Sequence, residues 1–384
     1  MIYLDNSATT PLSENVKSAI IEALELYGNP SSLHFEGDKA RRAVLSARND
    51  IMMALGARNG KLIFTSCGSE ASNLAINGSV RAKKRRVASR IVTTDSEHPS
   101  VANTLDSLKD EGFEIVKIPT KNGILDREAL TVALEKPIFM ASIMLVNNET
   151  GAVYDVANAF SEIKRRYPDA ICHCDAVQGF MKIKFTTVSL NADMITVSGH
   201  KLHAQKGIGA LWVSDRMIKE KRLVPVLLGG GQEDGFRSGT ENTIGIIGFS
   251  KAVYDGMKTF AEDVSKMQEL RSYAAEELSQ IGQGVRVNEP AFAAPHIISL
   301  TVPNIKSQTM LNHLSAKGIC VSSGSACSSH SNKPSEVLLS FGLTEKEADS
   351  TIRISLSKYN TKDEIDFLTD AIKDGVESLV KVKK

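Results

Sequence analysis

Three times in this sequence an apolar run ends in residues that can do chemistry. Ile91-Val92-Thr93-Thr94 leads into Asp95-Ser96-Glu97-His98, Phe139 to Val146 into Asn147-Asn148-Glu149, and Ile171 to Cys174 into Asp175. Short apolar and β-branched runs of this kind are the pattern of strands buried on both faces. Helical patterns lie between them, as in Ala157 to Arg166. That alternation specifies an α/β fold: a mostly parallel sheet with crossover helices over residues 15–215 and a site along its C-terminal edge. Ala192 to Val197 reads as another such strand, so Ser198-Gly199-His200-Lys201 falls just past a strand end.

The 384 residues, 42% of them hydrophobic, can bury a large core and suffice for two domains. Apolar residues at helical spacing predict helices over Ser13–Tyr27 and Glu36–Leu55, and a stripe from Met257 to Ile281 predicts a long helix. Such a helix joins a large domain over residues 15–255 to a smaller α/β domain made of 1–14 and 256–384. In the smaller one, Ile297 to Val302 and Ile319 to Val321 read as strands, and Thr361-Lys362-Asp363-Glu364 is a capping box that opens the final helix.

A formal net charge of +1 gives no general basis for nucleic-acid or membrane binding. The basic cluster Arg81, Lys83, Lys84, Arg85, Arg86 and Arg90 has no interleaved aromatic residues and reads as a solvated helix end, with an acidic partner or RNA as the alternative. Ile138 to Val146, the longest strongly apolar run, is well short of the about 20 residues that span a bilayer. No basic region precedes an apolar segment at the N-terminus, so no signal peptide is expected. Cysteines at 67, 172, 174, 320 and 327 are odd in number and scattered, which fits a reducing cytoplasm better than a disulfide framework.

A lysine beside a strand end, flanked by small residues, can form a Schiff base with an aldehyde, because partial desolvation frees its lone pair. Asp175, at the end of another strand, is the carboxylate that would keep a pyridine nitrogen protonated; a loop or helix cap is the alternative. Thr65-Ser66-Cys67-Gly68-Ser69-Glu70 lies between a strand and a helix, as an anion site or an ordinary cap. Cys327 sits in the small, polar stretch Ser322 to Ser331, which predicts a thiol on a mobile loop, about residues 322–333, whereas Cys320 between Ile319 and Val321 reads as packing. Cys172-His173-Cys174 offers soft metal ligands, but strand alternation turns His173 away from the two thiols, so no metal site is expected.

Taken together, Tyr3-Leu4-Asp5-Asn6-Ser7-Ala8-Thr9-Thr10-Pro11, Glu97-His98, Asn147-Asn148-Glu149-Thr150-Gly151, Asp175-Ala176-Val177-Gln178, Ser198-Gly199-His200-Lys201, Arg237-Ser238-Gly239-Thr240 and Ser322-Ser323-Gly324-Ser325-Ala326-Cys327 closely resemble cysteine desulfurases of the nitrogen-fixation and iron–sulfur-cluster type. The resemblance implies the type I pyridoxal phosphate fold, a homodimer, and conversion of L-cysteine to L-alanine with sulfur passed to the enzyme as a persulfide. It implies that Lys201 holds the cofactor aldehyde, Asp175 pairs with the ring nitrogen, His98 stacks on the ring and helps move protons, and Gln178 bonds the ring hydroxyl. Gly68, Ser69, Ser198 and His200 would hold the phosphate, with Thr240 reaching in from the other subunit. Asn148 and Arg353 would bind the substrate carboxylate, and Cys327 would be the nucleophile that serves a sulfur-acceptor protein, an iron–sulfur scaffold or a tRNA-thiolation enzyme. Cys67, Cys174 and Gln205 depart from the family pattern without removing a chemical group from the site. Selenocysteine lyase on the same fold and a cofactor-free sulfur-relay or scaffold protein are the rival readings.

Overall fold

The computed structural model describes residues 1–82, 88–324 and 334–379. Its strands are β1 (Ile2–Tyr3), β2 (Lys61–Thr65), β3 (Arg90–Thr94), β4 (Glu114–Ile118), β5 (Ile138–Met144), β6 (Ile171–Asp175), β7 (Met194–Ser198), β8 (Gly209–Val213), β9 (Arg286–Val287), β10 (Ile297–Thr301), β11 (Ile319–Cys320) and β12 (Thr351–Ser355). Seven of them form one sheet in the order β2-β8-β7-β6-β5-β3-β4. From β7 through β4 all neighbours are parallel, with Met144 beside Asp175 and Asp175 beside Thr196, so the C-terminal ends of β5, β6 and β7 stand together at one edge.

The sheet departs from the parallel expectation at β8, which runs antiparallel to both β7 and β2. Only residues 199–208 separate β7 from β8, fewer than the dozen or so that a parallel crossover needs. Arg90 also departs from its expected place at a solvated helix end. It opens β3, buried, with its guanidinium on Glu114 at 2.7 Å and on the Ala133 carbonyl at 2.7 Å. Lys83 to Arg86, the centre of the basic cluster, lie outside the described residues.

The first two helices run Glu14–Ala23 and Phe35–Ala54, and the first ends before Leu24 and Tyr27, both of which are exposed. The long helix spans Thr243–Ser279, starting well before the apolar stripe at Met257. Its first half places Ile246, Phe249 and Val253 in the core under the seven-stranded sheet, and its second half places Leu270, Ala274 and Leu278 in a separate core. That second core is built on β10, which pairs antiparallel with β12 and β9, and on the final helix, Lys362–Ser378, whose capping box Thr361–Glu364 is formed. Leu4 joins it from the N-terminus, where β1 pairs in parallel with β11. Cys320 in β11 is half-buried rather than packed away, while its neighbour Ile319 is fully inside. Cys172 and Cys174 lie in the first core, and His173 between them is held by Ser142 and Thr196 at 2.8 and 2.9 Å.

Candidate active site

Past the end of β7 the backbone makes a tight turn, Gly199–Lys201, that carries the lysine back over the sheet edge. A Cβ on Gly199 would lie 2.8 Å from Ile208 Cγ2, so this close approach admits only glycine. Lys201 Nζ donates to the Ser7 and Ala8 carbonyls at 2.6 and 2.7 Å. The same N-terminal segment is laced to the turn by Thr10, whose N–H and hydroxyl both donate to the His200 carbonyl at 2.9 Å. Behind the turn, Lys182 Nζ donates to the Lys201 carbonyl at 2.9 Å; burial, with the Lys201 charge adding, pushes Lys182 down to about 7.

Asp175, at the end of β6, is buried and accepts the Val177 N–H at 3.0 Å. Burial pushes it up to about 6 despite that bond and the Lys201 charge. Glu97 is more deeply isolated. Its Oε1 accepts Thr94 Oγ1–H at 2.7 Å and the Met144 N–H at 2.9 Å, Oε2 has no partner among the described residues, and burial lifts the group to about 8. At neutral pH, Glu97 is therefore the protonated member of this pair and Asp175 the carboxylate. His98 caps the helix Pro99–Ser107 with Nδ1, and burial, with Lys201 adding, pushes it down to about 4. Gln178 Nε2 donates to the Ser7 carbonyl at 2.9 Å.

At the other end of the cavity, the helix Gly68–Arg81 starts at Cys67 with no side-chain cap. Its first turn opens beside Ser198 Oγ, a buried hydroxyl with no partner among the described residues. A Cβ on Gly68 would press on Val177 Cγ2 at 2.9 Å. Unsatisfied N–H groups and a positive helix end are a ready anion site. Across from it, Arg353 lies in the middle of β12 and is only 2% exposed, not a surface residue before a strand. Its guanidinium donates to the Asn148 carbonyl at 2.9 Å and to Asp5 Oδ1 at 2.8 Å, and its Nε has no partner among the described residues.

Gly68, Ser69, His98, Asn148, Asp175, Gln178, Ser198, His200, Lys201 and Arg353 thus line one cavity. Thr240 does not; it lines a separate cavity with Arg237 and Asn242. Cys327 lies outside the described residues. The cavity also includes Ser7, Ala8, Cys67 and Ser100. The signal for Ser7 and Ala8 was present in the polar run after the first strand; Ser100 and the supporting Lys182 carry none, because they look like ordinary helix and loop residues.

The family model for class-V aminotransferases matches residues 2–368. The chain belongs to the class-V aminotransferase family. Within it the chain falls among the NifS/IscS-type cysteine desulfurases. A cysteine desulfurase of Nostoc sp. is 37% identical over 382 residues, 99% of this chain and 94% of the relative. A solved NifS-like protein matches with a TM-score of 0.91 at 32% identity, covering 98% of this chain and all of its own (100%). The structure of SspA in complex with cysteine matches with a TM-score of 0.79 at 32% identity, covering 94% of this chain and 100% of that one. The family's cofactor, pyridoxal 5'-phosphate, fits the residues present. The uncapped helix start and the unpartnered Ser198 hydroxyl suit a phosphate, and a buried Asp175 carboxylate suits a protonated ring nitrogen.

Proposed function

We propose that this enzyme takes sulfur from L-cysteine, releases L-alanine, and carries the sulfur as a persulfide on Cys327. The observation that carries the proposal is the meeting of the Lys201 amine, the Asp175 carboxylate and the Arg353 guanidinium in one buried cavity. Lys201, Asp175, His98 and Gln178 would hold the cofactor ring, and Gly68, Ser69, Ser198 and His200 its phosphate. Bound pyridoxal phosphate supplies an electron sink for the substrate's α-carbon. Arg353 receives the substrate carboxylate through its free Nε side, with Asn148 beside it; a planar guanidinium suits this task. Lys201 Nζ would accept the α-proton of the bound substrate. Its perch on the Ser7 and Ala8 carbonyls gives the resulting ammonium two acceptors. The Cys327 thiolate then attacks the substrate sulfur: the S–S bond forms, the carbon–sulfur bond breaks, and the carbon keeps the electron pair and takes a proton.

The site is completed in a homodimer. Leu33, Phe35, Tyr27 and Leu228 are each more than three-quarters exposed, and the segments that hold them adjoin, since Pro30 and Ser31 line one cavity with Gly231 to Asp234. Large apolar side chains exposed on adjoining segments suit a second copy of the chain, whose Thr240 would reach the phosphate. Two lobes, residues 15–255 and 1–14 with 256–384, then meet over the cofactor. The persulfide serves an iron–sulfur scaffold or a tRNA-thiolation enzyme in the cytoplasm, a compartment suited to a chain whose described cysteines, Cys67, Cys172, Cys174 and Cys320, are all free.

The test is to incubate the purified enzyme with L-cysteine and measure alanine and sulfide. Lys201→Ala abolishes both products and the yellow cofactor absorbance, whereas Cys327→Ala stays yellow and releases no sulfide. Equal turnover by Cys327→Ala overturns the persulfide reading. A preference for L-selenocysteine in the same assay shifts the reading to a selenocysteine lyase.

A further inference from the structure

His98 heads the helix Pro99–Ser107 and also lines the active-site cavity. Nδ1 faces the helix. It accepts the Ser100 backbone N–H at 3.1 Å and lies 2.7 Å from the Ser100 hydroxyl. A backbone N–H can only donate, so Nδ1 must be bare, and the proton of a neutral imidazole sits on Nε2. The Ser100 hydroxyl is compatible with this, since its hydrogen can turn toward the bare nitrogen. A proton on Nδ1 would face the Ser100 backbone N–H, one N–H against another.

We propose that Ser100 is a positioning residue that fixes His98 as the Nε2–H tautomer, so that the ring meets the reacting atoms as a proton donor. Given the reading of His98 as a proton-moving group, the direction of transfer follows. His98 Nε2–H gives its proton to a carbon or sulfur atom of the substrate, and Lys201, the base, is the group that takes one. Burial beside the Lys201 charge keeps the ring neutral in the resting enzyme, which is the condition for a single fixed tautomer. Ser100 is well placed for the task because its own carbonyl is tied to the helix by Thr104 Oγ1–H at 2.8 Å.

The experiment is long-range proton–nitrogen correlation NMR of histidine-labelled enzyme, with and without cofactor, His98 being assigned from a His98→Gln spectrum. The wild type shows the Nε2–H pattern for His98. Ser100→Asp places a carboxylate beside Nδ1, draws a proton onto that nitrogen, and lowers kcat at least tenfold with little change in KM. Ser100→Thr, which keeps both donors, restores the wild-type pattern and rate. An Nδ1–H pattern in the wild type overturns the proposal, as does full turnover by a Ser100→Asp enzyme whose His98 carries the Nδ1 proton. The NMR reading needs no turnover, so absence of desulfuration would refute the activity and leave the tautomer assignment standing.

Discussion

The Ser335 hydroxyl donates to Glu149 Oε2 at 2.6 Å, and a Cβ placed on Gly324 would stand 2.9 Å from the same oxygen. Glu149, a buried side chain, thereby lies against Gly324 and Ser335, on the two sides of residues 325–333, the stretch that contains Cys327. Glu149 follows directly on Asn148, whose carbonyl holds Arg353, so the flanks of the cysteine segment and this buried arginine share one anchorage.

That sharing predicts a kinetic defect without a binding defect. Ser335→Ala removes the bond to Glu149 and the cap on the Leu338 N–H of the helix Glu336–Phe341, and a hydrogen bond of about 1 kcal/mol is worth roughly fivefold. Ser335→Ala is expected to slow alanine formation by about that factor in a single-turnover assay, with the cofactor absorbance unchanged. An unchanged rate would separate the anchorage from catalysis.

Arg353 tests substrate recognition. Lysine keeps the charge but loses the planar fork that reaches Asp5 and Asn148 together. Arg353→Lys is expected to raise KM for cysteine on the order of 10–100-fold, the loss of a hydrogen bond to a charged group at about 1.5–3 kcal/mol. Steady-state kinetics with cysteine check this; a KM within twofold of wild type counts against the assignment.

The pH dependence of stability isolates Glu97. Its pKa rises from an ordinary 4.5 to about 8 in the folded chain, chiefly through burial. The folded state then binds this proton more tightly than the unfolded state. The stabilisation is full below the ordinary carboxylate pKa and is lost as pH rises through about 8. Glu97→Gln keeps an acceptor for Thr94 and Met144 but cannot ionise. Between pH 6 and pH 9 the cofactor-free variant is expected to gain on the wild type by roughly 2–4 °C in melting temperature. Parallel curves for the two proteins would mean that Glu97 ionises normally.

The dimer prediction is tested by placing charge in the apolar patch. Leu33→Asp with Phe35→Glu, both exposed in the single chain, is expected to halve the mass seen by light scattering. Cofactor affinity falls with it if Thr240 of a second subunit holds the phosphate. A monomeric wild type would refute the arrangement.

Much of this site was legible in the chain because strand ends are periodic and the groups there are chemically conspicuous. Asp175, His98 and Lys201 each follow a run of buried residues, and each lies at the sheet edge. What was not legible depends on contacts distant in sequence. Arg353 carries no local signal of burial: inside its strand it is compensated by Asp5, at the far end of the chain, and by the distant Asn148 carbonyl. Arg90 is misread for the same reason, its partner Glu114 lying on the neighbouring strand. The reversal at β8 required counting the loop residues available for a crossover rather than reading the strand itself. Thr240, which its motif singles out, lines a cavity separate from that of Lys201 in the single chain.

The carbonyls that receive Lys201 belong to residues 7 and 8, yet the strand that leads to them is paired with residues 319 and 320. A ribosome delivers the chain from the N-terminus at about 5–20 residues per second. The sheet bearing Asp175 and Lys201 is therefore out for several seconds before the first strand has a partner to lie against. Biosynthesis lays the floor of the reaction chamber early, and its wall, although made first, is hung last.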